Sequence, residues 1–444
     1  MVQGAVPLPG PDRQSVSYNC LGDSTRTAGP HVAIMARRAL ALTHGLTCPG
    51  TLLQSEASIP LHRCVAQSMP IKQIDLHCLQ VPRAYTTRIA QEGGGARSEV
   101  QASPFLLIEA TTESGQIGWG EISDVPPSEM PDLGRLRESL SSLLVGHDPF
   151  HLQSLHQRVR SQYPPSPTQE FPRLLAAGLD MVCYDLAAQT AGVPIYQLLG
   201  GPRQTEVRIS WVAFIRDDLQ QLQAEIAEKK ATGFDAFKLK VGVDIELDEA
   251  RLAILRETAG PSASIKIDPN GGWSYAEAAR YIPRLARYDL DGVETPIAFR
   301  DPQELAALRR QVEVPLIEHV FNSDDALRYI RHDALDCFNI ATTGCGGIWP
   351  ARIIAEMAQT AGVGILLGST VELGLGTLAQ LHLAASIDDL TLPSDLVGPA
   401  LYTDDVLASP LVYRKGRLDI PQLPGLGGTV QREQLQALAR SDSA

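Results

Sequence analysis

The pattern of hydrophobic and polar residues changes twice along the chain. In residues 1–68 no strand or helix period persists, whereas from Met69 alternating apolar positions, typical of strands, precede longer helical periods. Strands followed by helices are typical of an α+β domain, which we place at residues 69–200. Its predicted strands are 71–81, 104–112 and 116–121, and its predicted helices are 132–145 and 168–190.

Beyond Gly200, short apolar runs alternate with helical stretches. The strand-plus-helix unit repeats about every 25–30 residues, which is typical of a parallel α/β barrel with its helices outside. No glycine-rich phosphate fingerprint follows the first of these strands, so an open doubly wound sheet is disfavoured. The predicted strands are 207–213, 236–241, 264–268, 292–294, 314–318, 337–340 and 363–367. The predicted helices are 219–231, 247–258, 275–287, 303–310, 324–331, 348–360 and 375–387.

Two segments fall outside this pattern. Residues 1–68 are rich in Gly, Pro, Ser and Thr, and their basic pair Arg37-Arg38 gives only a faint likeness to a transit peptide, without the order of a secretory signal. We expect a disordered extension, or a start codon placed too early with Met69 as the true start. The run Gly93-Gly94-Gly95 is expected to be a mobile loop, because three glycines lose too much entropy in a strand.

Composition narrows the class of protein. The chain has 444 residues, 44% hydrophobic and 20% charged, which is typical of a globular protein of more than one domain. Its net charge of −13 disfavours nucleic acid and anionic membranes as partners, and no apolar run is long enough for a transmembrane helix. The seven cysteines are scattered without metal-binding spacing, so free thiols in the cytoplasm are expected.

Charged residues stand at the ends of four consecutive barrel strands. The carboxyl ends of the strands carry the active site in a parallel barrel. The second strand ends in Lys238 and Lys240, and the next three end in Asp268, Glu294 and Glu318. The steps from the second lysine are 28, 26 and 24 residues, or one unit each, so these side chains should meet at the barrel mouth.

This set suggests metal-assisted proton transfer. Three carboxylates from adjacent strand ends would repel one another without a cation, and oxygen ligands on rigid strands suit Mg²⁺. Lys238 and Lys240 point to one face, and their repulsion beside a cation would lower an ammonium pKa toward neutrality, as a general base requires. Each residue alone is equally well explained as a surface lysine or a helix N-cap, but the regular spacing of the set favours a site.

Several short motifs follow one another in order. They include Ala177-Gly178-Leu179-Asp180-Met181, Tyr184-Asp185-Leu186, Leu198-Leu199-Gly200-Gly201, Phe237-Lys238-Leu239-Lys240-Val241-Gly242, Ile267-Asp268-Pro269-Asn270-Gly271-Gly272-Trp273-Ser274, Val293-Glu294-Thr295-Pro296, Gly368-Ser369-Thr370-Val371-Glu372 and Pro424-Gly425-Leu426-Gly427. From Met69 to about Leu435 the chain thereby resembles the enolase superfamily, most closely its muconate-lactonizing-enzyme subgroup.

The resemblance implies a modified (β/α)7β TIM-like barrel at residues 201–410, an N-terminal α+β capping domain and a C-terminal segment, 411–444, that returns to the capping domain. Capping loops, expected at 85–101 and 122–130, would close over the barrel mouth and set specificity. The implied reaction removes the proton α to the carboxylate of a small acid, with Mg²⁺ or Mn²⁺ stabilising the enediolate. Relatives commonly form homo-oligomers, so one is expected here.

The resemblance also assigns roles to single residues. Asp268 and Glu294 would be the first two metal ligands, Lys240 the base, and Lys238 a contact to the substrate carboxylate that tunes the pKa of the base. Asn270 is similar to a family asparagine beside the first ligand.

Strand five departs from the subgroup, which usually ends it in Asp-Glu. Here Glu318 is followed by His319. We choose Glu318 as the third metal ligand, because glutamate has that role in other branches of the superfamily, and expect His319 to be a ligand or a substrate contact. Glu372 is similar to a glutamate that lines the substrate pocket.

Strand six departs further. The subgroup normally has a lysine there, on the opposite face of the substrate, and residues 337–347 contain none. Racemisation needs an acid or base on each face, and a threonine hydroxyl is too weak a base. We expect Thr342 and Thr343 to hydrogen-bond the substrate, whereas Cys345 would replace the lysine only as a thiolate. The glycines at 344–347 would cradle an anion at a helix N-terminus or form a tight turn.

We therefore predict a Mg²⁺-dependent isomerase of the cycloisomerase type, because residues 395–427 look most like the lactonizing branch. The alternatives are a syn-dehydratase of a β-hydroxy acid and an epimerase of N-acyl amino acids or dipeptides, which the missing lysine disfavours. A Schiff-base aldolase using Lys238 or Lys240, and a barrel that has lost catalysis, are further alternatives.

Overall fold

The computed structural model describes residues 69–91 and 100–439. The predictions for residues 1–68 and for Gly93-Gly94-Gly95 lie outside the described residues. The strands are β1 (Ile71–Thr87), β2 (Val100–Thr112), β3 (Ile117–Ile122), β4 (Glu206–Arg208), β5 (Trp211–Ala213), β6 (Ala236–Lys240), β7 (Ser264–Asp268), β8 (Gly292–Glu294), β9 (Leu316–His319), β10 (Cys337–Ile340), β11 (Gly364–Leu367) and β12 (Arg417–Asp419).

The α-helices follow the strands of both parts of the molecule. They are α1 (Leu133–Leu144), α2 (Leu152–Gln162), α3 (Phe171–Ala191), α4 (Ile195–Leu198), α5 (Leu219–Ala231), α6 (Ile245–Ala259), α7 (Tyr275–Leu285), α8 (Pro302–Arg309), α9 (Ser323–His332), α10 (Thr342–Cys345), α11 (Ile348–Ala361), α12 (Gly374–Ser386) and α13 (Arg432–Leu438). Among the helices of the described ranges, none combines the length and apolar composition that crossing a bilayer requires.

The N-terminal part is an antiparallel sheet in the order β1-β2-β3. Leu106 and Ile108 on one face of β2 pack against the core formed with α1, α2 and α3, whereas Phe105 and Leu107 on the other face join the core shared with the barrel. This alternation has the period of two that the sequence shows. β1 continues to Thr87, so the capping loop expected from residue 85 begins later than predicted.

The C-terminal part is a parallel sheet in the order β5-β6-β7-β8-β9-β10-β11. The short segment around Ser394 joins its two edges: Ser394 forms a parallel bridge with Ile209, and Asp395 N donates to Leu367 O at 2.8 Å. Helices follow the strands on the outside, where their apolar side chains and those of the strands form one core. The predicted α/β fold with a barrel and an N-terminal capping sheet is confirmed.

The first predicted barrel strand, 207–213, is divided in two. Glu206–Arg208 (β4) pairs with the C-terminal β12 as an antiparallel ribbon, and only Trp211–Ala213 (β5) pairs with β6. Val207 of β4 and all three residues of β5 are buried, so the pattern of apolar positions alone did not reveal that the two halves have different partners.

Candidate active site

Charged side chains from three neighbouring strands meet at the carboxyl end of the barrel. Lys238 and Lys240 of β6 lie in register with β7, the second of them opposite Asp268. Lys238 Nζ lies 2.6 Å from Glu294 Oε1 and 3.1 Å from Asp268 Oδ2, and Lys240 Nζ lies 2.6 Å from the same Asp268 oxygen. The structure therefore brings four of the predicted site residues together, on the single face that the spacing of the two lysines predicts.

Two further charged residues, missed by sequence reasoning, complete this cluster. Lys266 Nζ lies 2.8 Å from Asp395 Oδ1 and donates to Pro393 O at 2.6 Å, while Lys238 Nζ lies 3.0 Å from Asp395 Oδ2. Lys266 lies two positions before Asp268 on β7, and this spacing could have revealed it. Asp395 lies in the segment that closes the barrel, which is too short to show a period.

The cluster is buried, and burial and charge act in opposite directions on its pKa values. Burial alone would lower the pKa of Lys238, but its carboxylate neighbours, Asp395 first, raise it well above its ordinary value. Burial alone would raise the pKa of Glu294, but Lys238 and His319 hold it well below its ordinary value. Lys238 is therefore held in its charged form by the carboxylates around it, whereas the expectation that one lysine of the pair serves as a general base beside a cation stays a prediction.

Strand β9 presents its last two side chains to different neighbours. His319 Nε2 lies 3.1 Å from Glu294 Oε1, within the cluster. Glu318 Oε1 instead accepts from Thr295 Oγ1 and from the backbone N–H of His319, each at 2.8 Å, and lies 3.4 Å from Arg300 Nε. The structure therefore places His319, but not Glu318, beside Glu294, one of the two acids that we expected to share a metal with Glu318.

The donor set around Glu294 fits a divalent cation, although it forms no complete cage. Glu294 Oε2 and Asn270 Oδ1 are buried and have no hydrogen-bond partner within the described part of the chain. A buried carboxylate oxygen without a partner is costly unless a cation or a donor reaches it, and oxygen atoms are the ligands that Mg²⁺ prefers. Over the same residues, no set of three or more His, Cys, Asp or Glu side chains is arranged to hold a metal ion.

Asn270 lies next to the first acid. Its backbone N–H donates to Asp268 Oδ1 at 2.8 Å, and its side-chain Nδ2 lies 3.4 Å from Asp268 Oδ2. It has a positive φ of 49°, which turns the chain sharply after β7. The amide nitrogen is thereby used to hold Asp268, which leaves the amide oxygen for a ligand.

The segments that follow β10 and β11 contribute a group of hydroxyls around Glu372. Thr343 Oγ1 donates to Glu372 Oε1 at 2.7 Å, and Ser369 Oγ donates to Glu372 Oε2 at 2.5 Å. Thr342 N donates to Gln380 Oε1 at 3.0 Å, while the Thr342 hydroxyl is buried without a partner in the described ranges. The two threonines lie in the short helix α10.

Cys345 is not suited to act as a thiolate. Burial raises the pKa of its thiol to about 12, and its Sγ lies 3.1 Å from the backbone oxygen of Val320. The alternative in which Cys345 replaces the missing lysine is therefore wrong.

An anion does lie at the N-terminus of α11, beside the glycines that precede it, and it belongs to the protein itself. Asp180 of α3 accepts from Ile348 N at 2.6 Å, at the N-terminus of α11, and its other oxygen lies 2.7 Å from His156 Nε2. A Cβ at Gly347 would lie 2.5 Å from Asp180 Cγ, so the close approach requires glycine. This anion cradle is a contact between the capping part and the barrel.

Comparisons with known proteins agree with this architecture. Residues 221–434 match the family model described as "Enolase C-terminal domain-like", and residues 86–200 match "Mandelate racemase / muconate lactonizing enzyme, N-terminal domain".

Three curated relatives are similar over most of their length. The N-succinyl-L-Arg/Lys racemase of Bacillus cereus is 28% identical over 377 residues, covering 83% of this chain and 98% of the relative. The D-Ala-D/L-Ala epimerase of Cytophaga hutchinsonii is 31% identical over 342 residues, covering 76% and 90%. Muconate cycloisomerase 1 of Rhodococcus opacus is 28% identical over 359 residues, covering 78% and 94%.

Among solved structures, the dipeptide epimerase from Enterococcus faecalis, complexed with Mg and the dipeptide L-Leu-L-Tyr, superimposes with a TM-score of 0.71 at 28% identity. The match covers 81% of this chain and 100% of that one. Both parts of the chain thus match models of one family, and its curated relatives are isomerases of that family. The chain belongs to the enolase superfamily, in its muconate-lactonizing-enzyme-like subgroup, and is an enzyme.

Proposed function

We propose that this enzyme removes the proton α to the carboxylate of a small acid on one face of the substrate, with Lys240 as the base, and that its reaction is a cycloisomerisation. Lys240 Nζ is less buried than its neighbour Lys238 and contacts the protein through Asp268, so it is the lysine that a substrate would reach first. Lys238, held by carboxylates on three sides, stays charged and would bind the substrate carboxylate.

One observation carries the choice of reaction: among the described residues, the segment that follows β10, where the subgroup normally has its second lysine, presents no lysine. The positions that follow β10 present Thr342 and Thr343, and Cys345 is buried with a raised thiol pKa. A hydroxyl does not take up a proton at neutral pH, so these described residues offer no second base that could return a proton to the opposite face of the substrate. Chemistry in which one base transfers a single proton on the same face as the C–O bond that forms or breaks, such as syn cycloisomerisation, fits this arrangement.

The charges of the cluster support a substrate carboxylate at this position. It contains three ammonium groups and three carboxylates, from Lys238, Lys240, Lys266, Asp268, Glu294 and Asp395. A divalent cation would add two positive charges to a buried, nearly neutral cluster. One substrate carboxylate together with a neutral Lys240 restores the balance, which is the protonation state that a general base needs.

The metal is part of this proposal. Asp268 and Glu294 would hold Mg²⁺ or Mn²⁺, with Asn270 beside them, because Mg²⁺ is commonly bound through one or two carboxylates, with waters and substrate completing its shell. A bound divalent cation supplies Lewis-acid stabilisation of the negative charge that develops on the substrate carboxylate. Within the protein, Lys238 stabilises the same charge.

A second candidate, epimerisation of an N-acyl amino acid or dipeptide, is favoured by the names of two relatives, the racemase of B. cereus and the epimerase of C. hutchinsonii. Epimerisation requires a second acid or base on the opposite face of the substrate, and the described residues that follow β10 do not supply one. A syn-dehydratase of a β-hydroxy acid remains compatible with one base.

The test is incubation with Mg²⁺ in D₂O of a panel of muconates, β-hydroxy acids, N-acyl amino acids and dipeptides, followed by mass spectrometry and chiral analysis. We expect a new isomer with the wild type. Lys240→Ala should reduce its rate at least ~10²-fold, since a general base contributes about 10²–10⁴-fold. Lys72→Ala is the matched control, because Lys72 is an exposed lysine on β1.

Each other outcome selects a different reaction. Loss of water identifies the dehydratase, and deuterium at the α-carbon with inverted configuration identifies the epimerase. Full activity of Lys240→Ala would remove this lysine from the mechanism.

A further inference from the structure

An aromatic ring lies between the charged cluster and the segment that follows β10. Phe321 follows β9, and its ring stacks on that of His319, with 5.8 Å between centroids and 2° between planes. His319 Nε2 in turn lies 3.1 Å from Glu294 Oε1. A Cβ on Gly344 of α10 would lie 3.5 Å from Phe321 Cδ1, so the ring also covers this short helix. Phe321 therefore lies at the carboxyl end of the barrel, next to the candidate active site.

Arg173 of α3 extends from the capping part over this ring. The carbon of its guanidinium lies 4.2 Å from the centroid of Phe321, within the distance of a cation–π contact. A Cβ on Gly346 would lie 3.9 Å from Arg173 Cγ, so the stem of the side chain packs on the turn at the end of α10. The side chain is 27% exposed. The guanidinium is thus held by contacts at the barrel mouth and is still open to a ligand.

The guanidinium of Arg173 has few acceptors within the described part of the chain. Its Nε is buried and has no hydrogen-bond partner there. Its Nη2 lies 3.4 Å from Oε2 of Glu170, whose side chain is 59% exposed, and such a long ion pair at the surface contributes little. The neighbouring Arg300, 5.7 Å from the same ring, instead lies 3.4 Å from the buried Glu318. A partly buried donor without an acceptor is costly, and the two oxygens of a carboxylate match the planar guanidinium.

We propose that Arg173 binds a second carboxylate of the substrate, so that the small acid of the proposed function is a dicarboxylate. The inference rests on the proposed function, in which Lys238 binds the first carboxylate. Lys238 Nζ lies 2.6 Å from Glu294 Oε1, the oxygen that His319 also contacts. The stacked rings of His319 and Phe321 separate this oxygen from Arg173. A substrate that lies along these rings places one carboxylate at each end, and an acid with a single carboxylate leaves the guanidinium without an acceptor.

Binding of matched acids tests this without turnover. Succinate, glutarate and adipate, and the monoamide of each, are titrated calorimetrically into the full chain in the presence of Mg²⁺. Each monoamide has the shape of its diacid but lacks the second charge, so at least one diacid should bind the wild type about tenfold more tightly than its monoamide does, or better. Arg173→Gln should bind the two members of that pair with equal affinity. Arg160→Gln, which removes an exposed arginine from α2, is the matched control and should keep the wild-type preference.

A second variant, Arg173→Lys, covers the case in which Arg173→Gln fails to fold, because it keeps a cation near the Phe321 ring. It should lose at least part of the preference, since an ammonium does not bind both carboxylate oxygens as a guanidinium does. Equal binding of every diacid and its monoamide by the wild type, binding of none of the three diacids, or the full wild-type preference in either Arg173 variant would each overturn the proposal.

The two proposals can fail separately. A diacid preference that depends on Arg173, without any turnover that depends on Lys240, would contradict the proposed reaction alone. Turnover that depends on Lys240, for acids with one carboxylate and without a diacid preference, would contradict this inference alone.

Discussion

At the scale of single residues, Asp395 supplies the carboxylate that two buried lysines of the barrel share. Its two oxygens contact Lys238 at 3.0 Å and Lys266 at 2.8 Å, and all three side chains are almost completely buried. Removing the shared partner of a buried ion pair leaves uncompensated charge in the interior, which is far more costly than losing an exposed pair.

We predict that Asp395→Asn lowers the free energy of unfolding by about 3–5 kcal/mol, because two buried ammonium groups lose their common carboxylate. Urea unfolding measures this. The control is Asp388→Asn, whose carboxylate pairs with Arg203 at the surface and is 66% exposed, so its loss should cost less than about 1 kcal/mol. Equal losses of unfolding free energy in the two variants would show that the buried charges stabilise the fold no more than an exposed ion pair does.

At the scale of elements, the junction between α3 and α11 holds the capping part against the barrel helix that follows β10. Asp180 in α3 is fully buried, and it satisfies the first backbone donor of α11 while bonding His156 of α2. A carboxylate at a helix N-terminus is stabilised by the free N–H groups and by the helix dipole. The contact depends on Gly347, where φ is +136° and there is no Cβ to obstruct Asp180.

Gly347→Ala should therefore destabilise the protein by about 3 kcal/mol or more, from backbone strain together with a clash against Asp180. Gly362→Ala is a matched control at the other end of α11. Its φ is +71° and a Cβ there would meet nothing within 4 Å, so only strain of about 1–2 kcal/mol is expected. Thermal and urea unfolding compare the two variants, and a Gly347→Ala cost no larger than that of Gly362→Ala would show that the junction tolerates the extra atom.

At the scale of the whole molecule, Glu121 joins the capping sheet to the barrel. It lies at the end of β3, and its two oxygens accept from Leu373 N and Gly376 N, each at 2.8 Å, around the start of α12. Ser123 Oγ also donates to it at 2.8 Å. Burial raises the pKa of Glu121 to about 8, so the folded protein holds this proton at pH values where the unfolded chain has released it.

The raised pKa of Glu121 makes the stability of the folded protein depend on pH in a definite direction. Because the folded pKa is raised, the stabilisation is complete below the unfolded pKa of about 4.5 and is lost as the pH rises through about 8. We predict that the wild type loses stability relative to Glu121→Gln between about pH 5 and pH 8, by on the order of 4 kcal/mol at most. Unfolding curves at several pH values measure the difference, and parallel profiles for the two proteins would contradict a protonated Glu121.

Much of the fold could be read from local pattern. The strands of the barrel and its outer helices were predicted within a few residues, because the strands are short apolar runs buried on both faces and the helices show a period of 3.6 in consecutive residues. The weakly apolar α2, with only Leu155, His156 and Val159 buried, was missed, as was the pairing of β4 with β12. Neither has a local signal, because one depends on a neighbouring helix and the other on a strand about 200 residues away.

The candidate site was likewise predictable from the sequence only in part. That Lys238, Lys240, Asp268 and Glu294 would meet was predictable from the sequence, because the carboxyl ends of successive parallel strands lie at one end of a barrel. The folded structure was needed to show that Asp395 and Lys266 join them, that Cys345 is a buried thiol with a raised pKa, and that His319 rather than Glu318 contacts Glu294. A shift of one position along a strand reverses the face of a side chain, and that register is decided by pairing with neighbouring strands, which no stretch of sequence contains.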